Sequence, residues 1–275
     1  VISGVGVYSY TCTTTDACGS SVTSSAKVIT VVADPSVTNP SNITQCMGGS
    51  TALSVSGSDG TPSLTYQWYS NTTNSTSGST SISGETNTTY TPSSSASGTM
   101  YYYCVVSATG SACGNATSGI ASVTINSPSA SSINTVTGGT LANGDYVWSG
   151  NSTTSWTTLG NWFTYDGTSF SVPTVDPTST SNVFVVPSTT TSCISSTNTP
   201  LANSNDVITN LTVASGATLD LSSNTLSVSG DVKVDGSIVG TGTVKLNGTA
   251  TQTVSGTGTI NLPNLEVNKA SGSVT

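Results

Sequence analysis

Residues 207–246 read VITNLTVASGATLDLSSNTLSVSGDVKVDGSIVGTGTVKL. In this stretch Leu211 and Val213, Leu226 and Val228, Val232 and Val234, and Val244 and Leu246 are each separated by a single residue. Period-two alternation puts such pairs on one face of an extended strand. Glycine, asparagine and serine interrupt the runs every several residues, as tight turns require. Similar short alternations lie upstream at Val28 to Val32, Leu53/Val55 and Val183/Val185. No convincing amphipathic helix is found, so the expected fold class is all-β.

Leu211/Val213, Leu226/Val228, Val244/Leu246 and Leu265/Val267 recur at spacings of roughly 15 to 21 residues, the range of one solenoid coil. Stacked coils merge their inward apolar positions into one column. Gly and Asn at the corners supply the left-handed backbone that the bends demand. Asp220, Lys233, Asp235 and Lys245 alternate with the apolar positions and should point outward. Residues 145–275 are therefore expected to form a right-handed parallel β-helix, and the Gly272-Ser-Val run suggests further coils beyond Thr275. This piece opens with the densest aromatic cluster of the chain, Tyr146, Trp148, Trp156, Trp162, Phe163 and Tyr165. Large aromatics can cover the first coil of a solenoid, which makes Trp148, Trp156 and Trp162 its expected cap. Ring faces also stack on sugars, so Trp156 and Trp162 are secondary candidates for glycan contact.

Upstream, one segment is written twice. Tyr8, Tyr10, Cys12, then Cys18-Gly19, then Ser24 to Val31 reappear as Met100, Tyr102, Cys104, then Cys113-Gly114, then Ser118 to Ile125. The second copy closes a complete piece, residues 37–126, and the first stands alone as residues 1–35. The expectation is a window on a longer tandem array, in which self-contained units serve reach and display. Residues 127–144, rich in Ser, Asn, Gly and Thr, read as a linker.

Residues 37–126 hold about seven short strands and the order Cys46, Trp68, Tyr102, Cys104, the pattern of an immunoglobulin-like sandwich. Trp68 is expected to fill the space between sheets and Tyr102 to act as a tyrosine corner. Cys12, Cys18, Cys46, Cys104 and Cys113 are disulfide candidates, expected to be structural. Cys46–Cys104, Cys104–Cys113 and Cys12–Cys18 are alternatives that spacing does not decide, with a hairpin bridge favoured in the first copy.

Cys46-x-Gly, Tyr66-Gln-Trp-Tyr69, Thr89-Tyr-Thr-Pro92, Tyr102-Tyr-Cys104 and Cys113-Gly114 together resemble the Ig-like repeats of very large Bacteroidetes surface proteins. Those include the mobile gliding adhesins that leave the cell by type IX secretion. The resemblance adds Cys46–Cys113 as a rival pairing. Trp148-x-Gly150, Asn161-Trp162, Asn210-Leu-Thr-Val213 and Gly216-Ala-Thr-Leu219 are similar to capped β-solenoid segments of secreted proteins of the same phylum. The resemblance implies an adhesin at the cell surface, outside the cell, anchored through other parts of a larger protein.

Composition narrows the function further. Only 6% of the 275 residues are charged, the four basic residues are all lysine, histidine is absent and the net charge is −8. So little positive charge argues against nucleic acid and against anionic membrane surfaces. No apolar run is long enough to insert in a bilayer. Without histidine or arginine there is no Ser-His or Cys-His arrangement, so no catalytic residue is assigned and no enzyme is expected. Asp231 and Asp235 are the nearest carboxylate pair, and flanking Lys233 they read as solvating charges. No cofactor is expected. Calcium is a weak candidate around Asp34, Asp59, Asp206 or Asp231, which lack the spacing of a calcium loop. Tyr66, Tyr69, Tyr90, Tyr101 and Tyr103 suit cross-strand packing. Asn-x-Ser/Thr sites occur at Asn42, Asn71, Asn74, Asn87, Asn115, Asn151, Asn210 and Asn247.

The functional expectation is a stalk or spacer of a long secreted adhesin. Its neighbours would be repeats of the same chain, and its partners surface polysaccharide or other cells. A subunit of an extracellular filament, built by self-association through exposed strand edges, is one alternative. A carbohydrate-binding module is the other.

Overall fold

A computed structural model describes residues 4–60, 63–109, 113–190, 193–194, 199–260 and 264–275. The chain is nearly all β, as its alternation requires, and divides into two compact units. The first comprises Val1–Ile43, Ala52–Pro92 and Thr99–Val123; the second comprises Thr44–Thr51, Ser93–Gly98 and Thr124–Thr275. The short segments 44–51 and 93–98, which the sequence reading placed inside the piece 37–126, thus group with the later residues.

The main sheet runs in the order Thr80–Ser81, Leu64–Asn71, Gly98–Ala108, Ala121–Asn126, Ile43–Cys46, and Asn115–Thr117 also pairs with Gly98–Ala108. Leu53–Ser54 and Thr89–Tyr90 form a smaller antiparallel pair. Trp68 is fully buried, and Tyr90 lies 5.9 Å from its ring and 5.5 Å from that of Tyr102. The Trp68 indole N–H donates to the Asn87 carbonyl at 2.9 Å, so burying the ring strands no polar atom. Tyr102 is buried too, and its hydroxyl bonds to Tyr90; burial above all pushes the Tyr102 phenol up to about 12.

The written repeat is also a structural repeat. Thr13 pairs with Thr23 and Thr14 with Val22, as Val105 pairs with Thr117 and Val106 with Ala116. The Ser24 Oγ accepts from the Cys12 amide at 3.0 Å, and the Ser118 Oγ accepts from the Cys104 amide at 3.0 Å. Ser24 N donates to the Cys12 carbonyl at 2.8 Å, matched by Ser118 N to Cys104 O at 2.9 Å.

In the second unit the chain visits three sheets in rotation. The first takes Asp145–Trp148, Asn182–Val185, Asn210–Val213, Val232–Val234 and Val254–Ser255 as parallel neighbours, with Trp162–Tyr165 and Phe170–Ser171 added antiparallel at its edge. The second stacks Thr218–Asp220, Ser237–Val239 and Thr259–Ile260. The third stacks Asp206–Ile208, Thr225–Val228, Thr243–Leu246 and Asn264–Val267. Register keeps like over like: Leu211 over Val232 and Val254, Leu219 over Ile238 and Ile260, Leu226 over Val244 and Leu265. Their buried side chains belong to one core cluster, with Val254 and Ile260 packed against it.

The turns between layers are tied by polar side chains. Asn182 donates to Asp145 at 2.7 Å, Asn210 donates to Asn182 at 2.8 Å, and the Asp231 amide donates to the Asn210 side chain at 2.6 Å. The Thr253 amide donates to Asp231 at 2.7 Å, one layer further on. Buried Gln252 donates to the carbonyls of Val228 at 2.9 Å and Gly230 at 2.6 Å, and the Lys269 ammonium reaches its side-chain oxygen at 2.7 Å.

The stretch read as a linker contains an α-helix, Ala130–Thr137. Ser129 caps it, its hydroxyl accepting from the Ser132 amide at 3.3 Å, and Gly138 closes it with φ 62°. Ile133 is fully buried and anchors the helix. At its C-terminus the Lys233 ammonium donates to the Thr137 carbonyl at 2.7 Å, where a cation is favourable.

Gly236 marks a close approach between layers, since a Cβ there would meet the carbonyl oxygens of Ala214 and Ala217. Gly236→Ala is expected to destabilise the chain by about 1–3 kcal/mol through overpacking. Gly139→Ala, where the nearest atom is the Thr137 hydroxyl at 3.8 Å, should leave the melting temperature nearly unchanged. Thermal denaturation of the two variants checks this.

Candidate functional site

The aromatic residues at the head of the second unit form one cluster. Trp162 lies edge-on to Trp148 at 4.9 Å and to Trp156 at 4.7 Å, and Tyr146 lies edge-on to Trp162 at 6.2 Å. Edge-to-face pairing matches the positive ring edge to the negative face. All three indoles are at most 1% exposed and join the same core cluster as the stacked strands. The Trp162 N–H donates to the Trp156 carbonyl at 2.7 Å, whereas the Trp156 N–H is buried without a partner among the described residues. The expectation that Trp156 or Trp162 offers a face to a sugar is corrected here: with every ring buried, neither has a surface on which a pyranose can stack.

Asn161, which the sequence offered only as the first half of an Asn-Trp motif, holds the loop that delivers these rings. It is fully buried, and its side-chain oxygen accepts from the amides of Ser152 at 2.9 Å and Thr153 at 2.8 Å. Its NH₂ donates to the Thr153 hydroxyl at 2.9 Å and the Ser155 carbonyl at 2.7 Å. Four bonds satisfy the whole amide. The only signal in the sequence was its place next to Trp162.

The disulfide joins Cys46 to Cys193, with Cα atoms 5.4 Å apart and a sequence separation of 147, and both residues belong to the second unit. This corrects the expected pairings. Cys12, Cys18, Cys104 and Cys113 are free thiols. A hairpin bridge fails on register, because the residue bonded across from Cys12 is Ser24 and that across from Cys104 is Ser118. Cys18 instead lies in the turn built on Asp16, whose carboxylate accepts its amide at 2.9 Å. Cys46–Cys104 fails as a bridge between facing sheets, since the strands carrying the two residues lie in one sheet with Ala121–Asn126 between them. Burial pushes the Cys104 thiol up, away from reactive thiolate character. A disulfide of this kind fits a non-reducing compartment.

The carboxylates are committed to structure. The Asp231 and Asp235 side chains accept from the amides of Thr253 at 2.7 Å and Thr257 at 3.0 Å. The Thr257 bond chiefly holds Asp235 below the usual carboxylate range, and Lys233 pairs with it at 3.3 Å. Asp34 accepts the Gly114 amide at 2.8 Å, Asp59 accepts from Ser58 at 3.1 Å, and Asp206 accepts from Ser204 at 2.9 Å. Among the described residues no group of three or more His, Cys, Asp and Glu is placed to hold a metal ion. Of the tyrosines, Tyr69 and Tyr103 stack at 5.1 Å across paired strands, and Tyr103 also meets the Ser79 hydroxyl at 2.6 Å. No described helix is long and apolar enough to cross a membrane.

A sequence family described as "Domain of unknown function (DUF8696)" matches residues 36–127, close to the limits read from the sequence for the complete upstream piece. No curated protein matches the chain.

Two outcomes check this geometry. A non-reducing peptide map should recover one bond, Cys46 to Cys193, and Cys193→Ser should lower stability by about 2–4 kcal/mol by freeing a long loop. Trp162→Ala should cost about 3–5 kcal/mol in chemical denaturation, the range for removing a buried aromatic. An unchanged midpoint would contradict its placement in the core.

Proposed function

We propose that this chain is a non-catalytic structural segment, a stalk or spacer, of a secreted cell-surface protein. In this reading the sandwich unit is Ig-like and the rotating parallel sheets form a right-handed β-helix, closed at one end by its tryptophans. One observation carries the reading: the apolar columns of three parallel sheets form a single buried core with the indoles. Such a stack lengthens by about 4.8 Å per layer and resists bending because every layer is bonded to the next. Reach and stiffness are what it offers.

The polar groups support the same reading. Asp231, Asp235, Asn161, Asn210 and Gln252 are spent on bonds that tie layers or loops together. The disulfide supports an extracellular setting. The resemblance to gliding-type adhesins supports display at a bacterial surface, where polysaccharide or other cells are met by a different part of the protein.

The test is to weigh and image the native molecule that carries this segment. A thread several times longer than 275 residues can build is the expected result. A free particle near 27.4 kDa would overturn the stalk reading. A periodic fibre of many identical copies would replace it with a filament subunit.

A further inference from the structure

The first parallel sheet of the second unit carries a cleft on its outer face. It holds about 280 Å³ and is lined on one side by residues 139–142, which follow the helix Ala130–Thr137, and on the other by the strands Asn182–Val185, Asn210–Val213 and Val232–Val234. Val183, Val185 and Val213 turn inward and are buried, so alternation sends Asn182, Phe184, Asn210 and Thr212 outward into the cleft. Its volume lies near the lower end for small-molecule sites, roughly 300–1,000 Å³, which suits one small ring and not a polymer.

Along one wall runs the row Asp145, Asn182, Asn210 and Asp231, one residue per layer and about 4.8 Å apart. Each is bonded to the next, yet each keeps hydrogen-bonding capacity over. Asp145 is only 2% exposed, and its carboxylate accepts from the Ala142 amide at 2.7 Å and the Asn182 side chain at 2.7 Å. A carboxylate has about four acceptor positions, and burying one among neutral donors alone is costly. Among the described residues no lysine pairs with it. The Asn182 and Asn210 amides each spend one of two N–H groups, on Asp145 and Asn182. The Lys233 ammonium spends two of three, on the Thr137 carbonyl and Asp235. The Thr212 hydroxyl has no partner among the described residues.

This mixture selects the chemistry of an occupant. An anion would meet two carboxylates, and a metal ion would meet an ammonium and amide oxygens that already accept bonds. An apolar molecule would bury the Asp145 charge further. A sugar answers every group, because each of its hydroxyls donates and accepts at once, while the half-buried Phe184 offers an apolar surface to its C–H face.

We infer that this cleft binds a single neutral pyranose, its hydroxyls donating to Asp145 and Asp231 and accepting from Asn182, Asn210 and Lys233, with its ring against Phe184. The inference does not rest on the stalk reading, since the flank of a stalk and a free module could both carry the cleft.

The test titrates the isotope-labelled full chain with glucose, galactose and mannose and follows backbone amide shifts. At least one of the three should produce saturable shifts at residues 182–184, 210–212 and 231–233, with a Kd on the order of 1 mM. Phe184→Ala should weaken that binding by about tenfold or more. Thr212→Val, which keeps a branched strand residue and removes one hydroxyl, should weaken it by about fivefold. Unshifted amides at residues 218–220 and 237–239 verify that the variants are folded. Equal affinity for the methyl glycoside would identify the end residue of a glycan and binding of the free sugar alone a free monosaccharide; both results support the inference. It is overturned if none of the three sugars gives saturable shifts, if the shifts fall outside the cleft, or if both variants bind as the parent does.

Discussion

In-register stacking of apolar side chains is the constraint on which the second unit depends. A parallel ladder satisfies its backbone only by pairing with the layer before and the layer after, and its inward side chains are dry only if both neighbours are apolar. Leu211, Val232 and Val254 meet that demand on one sheet, as Leu219, Ile238 and Ile260 do on another. A stack of this kind needs closure at its ends. At the head, Trp148, Trp156 and Trp162 pack edge to face within the same core, and Asn161 fixes the loop that carries two of them. At the other face, Leu265 and Val267 of the strand Asn264–Val267 remain exposed.

Much of this was legible in the sequence because period-two alternation is a local property. The strands Asn210–Val213, Thr225–Val228 and Thr243–Leu246 each place an apolar pair on the buried face that the alternation demanded. The burial of Trp68 was legible too, for a lone tryptophan amid strand-forming residues has few other places to go. What escaped reading depended on distance in the chain. Cys193 pairs with a residue 147 positions away, and no spacing rule reaches that far. The expected hairpin bridges took sequence proximity for register, whereas the strands set Ser24 and Ser118 against the cysteines.

The helix Ala130–Thr137 escaped for another reason. Ser, Asn and Thr have modest helix propensity, and its one fully buried apolar residue, Ile133, gives no periodic signal. Its capping residues, Ser129 and Gly138, were the better clue. The tying roles of Asn161 and Gln252 escaped as well. A buried amide that ties loops or layers looks, in sequence, like any other polar residue of a Ser- and Thr-rich chain. Asp231 and Asp235, read from the sequence as solvating charges, turn out to be ties between layers.

The central claim is that one column of stacked side chains, continuous with the indoles, holds the second unit together. Native-state hydrogen exchange tests it most directly. Stability of a stacked array spreads from neighbour to neighbour, so the layers packed on the buried indoles should be the last to open. The account predicts protection that rises steadily from residues 264–267, through 243–246 and 232–234, to a maximum at 210–213 and 145–148. Uniform protection across these strands, or a gradient that rises toward residues 264–267, would contradict it.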